Sequence, residues 1–225
     1  MSKASNILRQ INSKVGGDLY QLKFPEAVTK KRVMLIGIDV CHSGPNSVVG
    51  FVASTNPGLS QYYSEHIVQK KNQEIVSTHM TEAIMRAVHA FAEKHNRNFP
   101  THFIIYRDGV GETMRDQVIR SEVEQFKQAI TQCYNNAEHE PKIALVVVNK
   151  RITQRFFVKD AQGRLSNPPS GCIIDRTLVE NEISDKTANR PFDFYLTPAT
   201  ANQGCVLPTH IFVAMNETGL TKVEL

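Results

Sequence analysis

The sequence predicts an α/β fold: a mixed sheet in which an antiparallel meander is followed by parallel strands, with helices flanking the sheet. Three strand-like segments between residues 33 and 68 are joined by turn signals alone, and connections that short produce antiparallel neighbours. From residue 80 to residue 148, helical apolar periodicity alternates with short apolar runs. That alternation favours right-handed crossovers and parallel strand pairing.

The meander is predicted from three segments and two turns. The apolar run at 33–38 is followed by a turn with glycine and proline at 43–46, the run at 48–53, a second turn at 56–58 and an alternating strand at 62–68. Before it, residues 6–12 have the pattern of a short helix that ends near Gly16 and Gly17. A helix this short has little to pack against in its own segment. We therefore expect residues 1–32 to end a preceding domain and linker, and residues 33–225 to form the main domain.

The parallel part is predicted from two helical stripes and two strands. The first stripe comprises Met80, Ile84, Val88 and Phe91, and the second runs from Ile119 to Cys133. Buried strands are predicted at 103–106 and 143–148, and shorter ones at 172–175, 192–196 and 211–215. A helical pattern begins at the last residues, so we expect a domain that is incomplete at its C-terminus.

Composition excludes several classes of protein. The chain has no apolar run of about 18 residues and no secretory signal pattern, so we expect no membrane association. Its four cysteines are far apart and form no C-x-x-C pair, which excludes a zinc knuckle or a redox motif and favours reduced thiols in an intracellular protein. The net charge of +4 is compatible with a polyanionic partner but is not specific for one.

Two aspartates are the most informative residues in the chain. Asp39 ends the first apolar run, and Asp108 ends the run at 103–106, just before Gly109. If these strands are parallel neighbours, both carboxylates meet at one edge of the sheet. Ionised carboxylates this close repel each other unless a cation lies between them, and a pair of divalent metal ions is the usual solution. The alternative is that each aspartate simply begins a turn.

Several local motifs occur in one order along the chain. They include QINSKVGG at 10–17, IGIDV at 36–40, YRDGVGE at 106–112, NKR at 149–151, FDF at 192–194 and PTH at 208–210. Together with an acid that closes the first strand and another that closes the fourth, they resemble the Piwi branch of the Argonaute/Piwi family. The resemblance covers nearly the whole chain. It implies a ribonuclease H-like Piwi domain after the end of a MID-like domain.

The resemblance implies a catalytic set for guide-directed RNA cleavage. Asp39 and Asp108 match the family's two metal-binding aspartates, which hold Mg²⁺ or Mn²⁺, and Glu74 matches a glutamate on a mobile loop. The residues alone favour a solvated acid at a helix N-terminus for Glu74, and only the resemblance assigns it to the catalytic set. The family's fourth metal-site residue lies beyond Leu225. His210 is not assigned that role, because its Pro-Thr-His setting matches a non-catalytic segment.

The resemblance also assigns nucleic-acid contacts. Lys14 matches a lysine that contacts the guide's 5′ phosphate, and Gln10 lies one helical turn earlier on the same face. Lys150, Arg151 and Arg155 cluster after the fifth strand, where backbone contacts would be salt-sensitive and blind to sequence. The alternatives are an ordinary surface lysine and a solvated basic face.

The implied function is small-RNA-mediated gene silencing by a fragment of a two-metal endoribonuclease. Its partners would be a small guide RNA, a complementary target RNA and silencing-complex proteins. Gln203 matches a loop position that approaches the guide in members of the family. The expected location is the cytoplasm, the nucleus or both. A second hypothesis is a module that holds guide and target RNA without cleavage. A third, independent of the resemblance, is a phosphoester hydrolase with Asp39 as its nucleophile, which would form a covalent aspartyl intermediate.

Overall fold

The computed structural model describes residues 2–20, 22–42, 44–73, 79–134, 140–180, 191–201, 203–221 and 224–225. Within these residues the helices are α1 (Lys3–Lys14), α2 (Glu26–Thr29), α3 (His79–Lys94) and α4 (Arg115–Cys133), and a 3₁₀ turn at Glu112–Met114 precedes α4. The strands are β1 (Val33–Cys41), β2 (Ser47–Ser54), β3 (Tyr62–Gln69), β4 (His102–Asp108), β5 (Lys142–Asn149), β6 (Val158–Lys159), β7 (Leu165–Ser166), β8 (Ile173–Ile174), β9 (Phe192–Leu196) and β10 (Thr209–Asn216).

The main sheet has the strand order β3-β2-β1-β4-β5-β10-β9-β8. Its first three strands pair antiparallel, as the meander predicts, and β4 and β5 add in parallel to β1. The predicted mixed sheet is therefore confirmed. The last three strands return antiparallel, with β10 between β5 and β9. The sequence predicted these strands but not their positions in the sheet.

The main core lies between α3, α4 and one face of the sheet. The largest cluster of buried apolar residues joins Met34, Ile36 and Ile38 of β1 to Met80 and Phe91 of α3. The other sheet face carries smaller clusters, one of which includes Val33 and Ile104. This division fixes which β1 and β4 side chains face the helices.

The structure also contains elements that the sequence patterns missed. The helix α1 is longer than predicted, because it begins at Lys3, directly after the N-cap residue Ser2, whose hydroxyl accepts a hydrogen bond from the Ser5 amide at 3.2 Å. The four-residue α2 and the β6–β7 hairpin were not predicted, since two to four residues are too few to show periodicity. The predicted strand at 172–175 is reduced to Ile173–Ile174.

The predicted helix at the chain end falls partly on residues 222–223, which lie outside the described residues. No helix in the described ranges is both long enough and apolar enough to cross a lipid bilayer.

Candidate functional site

A cleft of about 800 Å³ opens at the carboxyl ends of β1, β4 and β5. Asp39 and Asp108 line it together with Lys150 and Arg151. The ends of parallel strands are where ligands bind in folds of this kind. The predicted meeting of the two aspartates at one edge of one sheet is therefore what the structure shows.

The strand register places the two aspartates side by side. Ile38 of β1 is the parallel partner of Arg107 of β4, so Asp39 and Asp108 each lie one residue further along. Side chains alternate along a strand, and Ile38 points into the helix-facing core. Asp39 and Asp108 therefore point to the opposite face, away from α3 and α4. Both carboxylates remain accessible to solvent, and the Asp108 side chain is 32% exposed.

The backbone around Asp108 is held by the neighbouring strand. The Gly109 amide donates a hydrogen bond to the Val148 carbonyl at 3.0 Å, which extends the β4–β5 pairing past the end of β4. Gly109 has a φ of +58°, in the left-handed region that glycine adopts without strain. The chain can therefore turn away immediately after Asp108, which leaves its carboxylate at the rim of the cleft.

Lys150 forms an ion pair with Asp108 in the cleft. Its Nζ lies 2.9 Å from Asp108 Oδ2. Its pKa is raised, first by the hydrogen bond to Asp108, then by the charge of Asp108, and also by the charge of Asp39. The ammonium of Lys150 is thus stabilised by both aspartates. The sequence predicts Lys150 as an RNA contact but does not predict this ion pair.

Other side chains of the cleft were not predicted as site residues. His210 Nε2 donates a hydrogen bond to Asp193 Oδ2 at 2.8 Å, and its ring stacks on Tyr195 with centroids 4.6 Å apart. His42 lines the cleft three residues after Asp39, and its Nδ1 lies 2.8 Å from Ser47 Oγ. The signal that could have found His42 is its spacing from Asp39 just past a strand end.

The predicted RNA-contact residues do not all lie in the cleft. Arg151 lines the cleft with Lys150, whereas the Arg155 guanidinium donates hydrogen bonds to the carbonyls of Ile152 and Gln154. Gln203 is exposed on the loop that precedes β10. The predicted basic cluster is therefore divided between the cleft and the loop beside it.

Gln10 and Lys14 are exposed on α1, and no residue of this helix is buried. The segment after α1 contacts the β2–β3 loop, where Gln61 Nε2 donates a hydrogen bond to the Gly16 carbonyl at 3.1 Å. Since β2 runs antiparallel to β1, this loop lies at the sheet edge opposite Asp39. Lys14 and Asp39 consequently belong to two separate places on the molecule.

The described residues supply two of the predicted acidic ligands. Glu74 lies outside the described residues. Among the residues that are described, no three histidine, cysteine, aspartate or glutamate side chains come together in an arrangement that could hold a metal ion. The acidic part of the site, as described, is the pair Asp39 and Asp108.

The sheet order and the paired aspartates define a ribonuclease H-like domain. The family model described as the Piwi domain matches residues 1–225, and the chain belongs to that family. It is 35% identical over 223 residues to Piwi-like protein 1 of Danio rerio, covering 98% of this chain and 24% of that protein. It is also 35% identical over 219 residues to Protein argonaute-3 of Drosophila melanogaster, covering 96% of this chain and 23% of that protein.

Solved structures of Argonaute and Piwi proteins are also similar to this chain over nearly its whole length. The crystal structure of Drosophila Piwi matches with a TM-score of 0.77 and 26% identity, covering 98% of this chain and 28% of that one. The structure of Kluyveromyces polysporus Argonaute with a guide RNA has a TM-score of 0.79 at 22% identity, covering 96% and 26%, and supports the fold alone. The chain spans about a quarter of the length of the curated relatives it matches.

Proposed function

We propose that this chain is the RNA-holding and metal-binding part of a guide-directed endoribonuclease that acts in small-RNA-mediated gene silencing. The observation that carries the proposal is the pairing of Asp39 and Asp108 in a Piwi-family domain, at the rim of one cleft that Lys150 and Arg151 also line. Its partners would be a guide RNA, a complementary target RNA and proteins of a silencing complex.

The two aspartates fit a site for Mg²⁺ or Mn²⁺. They offer hard carboxylate oxygens in an open cleft with room for water, and Mg²⁺ is commonly held by one or two carboxylates, several waters and substrate phosphates. Asp39 and Asp108 would hold the ions, and Glu74 would complete the ligand set. When bound, such ions supply Lewis-acid activation of water and stabilise the leaving oxygen of a phosphodiester.

The chain's own cations would orient the RNA backbone. Lys150 and Arg151 line the same cleft as the aspartates, so both cations are available to phosphates of an RNA strand bound there. Contacts of this kind fix the position of the strand and carry no sequence information. Target sequence would therefore be read by base pairing with the guide, and the protein would hold the paired backbone against the acidic rim.

The guide would span the sheet. Lys14 lies toward one edge, next to the β2–β3 loop, and Asp39 lies at the other. The six residue steps from Val33 to Asp39 extend about 20 Å at the usual rise of a strand. A 5′ phosphate held by Lys14 would therefore be separated from the cleft by several nucleotides, which is the arrangement that a guide needs if its middle is to lie at the aspartates.

A second candidate is a module that holds guide and target RNA without cleavage. The ion pair between Lys150 and Asp108 favours it, because a carboxylate already bound to an ammonium is less available to a metal ion. The basic residues of the cleft serve both candidates equally. Metal binding is therefore the property that separates them.

Replacement of Asp39 by asparagine tests the proposal in the 225-residue chain. We expect Asp39→Asn to weaken Mn²⁺ binding at least about tenfold, because one of two carboxylate ligands is lost, while affinity for single-stranded RNA is kept or slightly raised. Electron paramagnetic resonance of free Mn²⁺ and RNA fluorescence anisotropy measure the two affinities. Asp18→Asn is the matched control, since Asp18 binds the Ser60 hydroxyl at the opposite sheet edge.

Two results would contradict the proposal. Unchanged Mn²⁺ binding in Asp39→Asn would remove this aspartate from the metal site and leave the non-cleaving module as the better account. Equal loss of Mn²⁺ and RNA binding would show that Asp39 supports the fold of the cleft. In a longer protein that contains this chain, Asp39→Ala should abolish RNA cleavage and leave guide binding nearly intact.

A further inference from the structure

We propose that Lys150 is an internal counter-ion of the acidic site and that it makes RNA binding and metal binding mutually reinforcing. Its ammonium and a divalent cation compete for the same Asp108 carboxylate, and an RNA phosphate competes with Asp108 for the same ammonium. The inference rests on the proposed metal-binding role of Asp108 and extends it to the control of that site.

Lys150 is in direct contact with Asp108. Lys150 Nζ and Asp108 Oδ2 are 2.9 Å apart, a distance typical of a charge-assisted hydrogen bond. Asp39 also stabilises the ammonium through its charge. A single positive charge thus faces both of the carboxylates that would hold a metal, so it neutralises part of their mutual repulsion.

The contact between Lys150 and Asp108 is easily exchanged. The Lys150 side chain is 64% exposed and comes just after the end of β5, so it can leave Asp108 without disturbing the core. Exposed ion pairs contribute about 0–1 kcal/mol, which corresponds to at most about a fivefold change in an affinity. The pair can therefore bias metal binding without blocking it.

Lys150 competes with a metal ion for Asp108. A divalent cation that takes Asp108 as a ligand must displace the lysine from Oδ2 and is repelled by the ammonium if it stays nearby. Removing the ammonium should consequently tighten metal binding. The effect is specific to Lys150, because Arg151 lines the same cleft with the same charge but has no ion pair to Asp108 among the described contacts.

Lys150 also links metal binding to RNA binding. A phosphate beside Arg151 offers Lys150 an alternative anionic partner in the same cleft. When RNA binds, the lysine moves from the carboxylate to the phosphate, and Asp108 is released for metal. Linkage is reciprocal, so metal binding must tighten RNA binding by the same factor. The acidic site would then reach full metal affinity only with RNA in place.

The test compares Lys150→Met with Arg151→Met, which removes the same charge from the same cleft. Mn²⁺ affinity of each 225-residue chain is measured by electron paramagnetic resonance, with and without a short single-stranded RNA whose own Mn²⁺ binding is subtracted. Without RNA, we expect Lys150→Met to bind Mn²⁺ about two- to fivefold more tightly than the wild type. The factor by which RNA tightens Mn²⁺ binding should be smaller in Lys150→Met than in Arg151→Met.

The possible results separate this inference from the proposed function. If Lys150→Met and the wild type bind Mn²⁺ equally, or if RNA tightens Mn²⁺ binding by the same factor in both methionine variants, the counter-ion role is refuted. Lys150→Arg retains the cation and should resemble the wild type. An Asp108→Asn variant that binds Mn²⁺ like the wild type would instead refute the metal site itself. Circular dichroism confirms that each variant is folded.

Discussion

Arg107 and Glu122 form a buried ion pair directly behind Asp108, with Arg107 Nε 3.0 Å from Glu122 Oε1 and both side chains only 1% exposed. The same guanidinium donates a hydrogen bond through Nη1 to the Asp108 carbonyl at 2.5 Å. The Arg107 side chain points to the helix-facing side of β4, as those of Phe103 and Ile105 do, whereas the Asp108 carboxylate points to the other side. The pair therefore connects α4 to the backbone of a site residue from the side opposite the cleft.

The energetics of this pair give the first prediction. Arg107→Met alone should lower the free energy of unfolding by about 3–5 kcal/mol, because it leaves the Glu122 carboxylate buried without its charge partner. The double variant Arg107→Met/Glu122→Leu should recover most of that loss, since apolar residues of similar volume commonly replace a buried ion pair at little cost. Urea unfolding measures both values.

The double variant also tests what the pair does for the site. If it positions Asp108, the stable double variant should bind Mn²⁺ more weakly than the wild type. If Mn²⁺ binding is unchanged, the pair contributes only to packing between β4 and α4. A double variant as unstable as Arg107→Met alone would contradict the energetic argument.

The sequence predicted those elements of the fold that a local pattern of apolar and polar residues defines. The apolar runs that became β1, β4 and β5 are bounded by polar residues, and the stripe from Met80 to Phe91 has one helical period, so each element was recognisable locally. The insertion of β10 between β5 and β9 was not recognisable. It depends on contacts between segments distant in sequence, about which local periodicity carries no information.

The candidate site was likewise predictable only in part. Two parallel neighbouring strands that each carry an aspartate near the carboxyl end must bring those residues together, and this followed from the sequence. The predicted end of the first strand at Asp39 was wrong, because β1 continues to Cys41 through its pairing with β2. The Lys150–Asp108 contact depends on the β4–β5 register and on one side-chain rotamer, which the sequence does not specify. A signal for the Arg107–Glu122 pair was present, because Glu122 lies four residues from Val118 and from Phe126 on the buried face of α4.

The turn after Asp108 gives the second prediction. Gly109 has a φ of +58°, and a Cβ there would meet no atom within 4 Å, so the obstacle to a side chain is conformational and not steric. Gly109→Ala should lower the free energy of unfolding by about 1–2 kcal/mol. Gly109→Asn should cost less, because asparagine adopts the left-handed region more readily than alanine. Urea unfolding distinguishes them, and equal losses in both variants would indicate a clash.

The third prediction concerns pH and His102. Burial, together with the positive charges of Lys31 and Lys142, lowers the pKa of His102 from about 6.5 to about 4. The unfolded chain therefore takes up a proton between pH 6.5 and pH 4 that the folded chain does not. Stability conferred by neutral His102 is complete above pH 6.5 and is lost as the pH falls toward 4.

His102→Gln isolates this contribution. The wild type should lose stability relative to the variant as the pH is lowered from 6.5 to 4, with a slope of at most one proton. Urea unfolding at several pH values gives the difference in free energy of unfolding between the two proteins. The contribution of carboxylates that titrate in the same pH range is common to both proteins and cancels in this difference. Parallel pH profiles in the two proteins would show that His102 is protonated equally in the folded and unfolded states.

The fourth prediction concerns recognition of the 5′ end of the RNA by Lys14. Lys14 is exposed in the last turn of α1, and its ammonium can pair with a terminal phosphate that carries more charge than a backbone phosphate. Lys14→Ala should weaken binding of 5′-phosphorylated single-stranded RNA about three- to tenfold and leave 5′-hydroxyl RNA nearly unaffected. Fluorescence anisotropy at fixed salt measures both affinities, because such contacts are salt-dependent.

Lys3→Ala is the matched control for Lys14→Ala. Lys3 is an exposed lysine of the same helix, one residue after the Ser2 cap, so its removal changes the net charge equally without touching the last turn. If Lys14 contacts the terminal phosphate, only Lys14→Ala reduces the preference for phosphorylated RNA. If both variants weaken the two RNAs alike, the effect is one of overall charge and Lys14 has no special place in guide binding. The helix itself should persist in both variants, because α1 has no buried residue that either change removes and alanine is the best helix former.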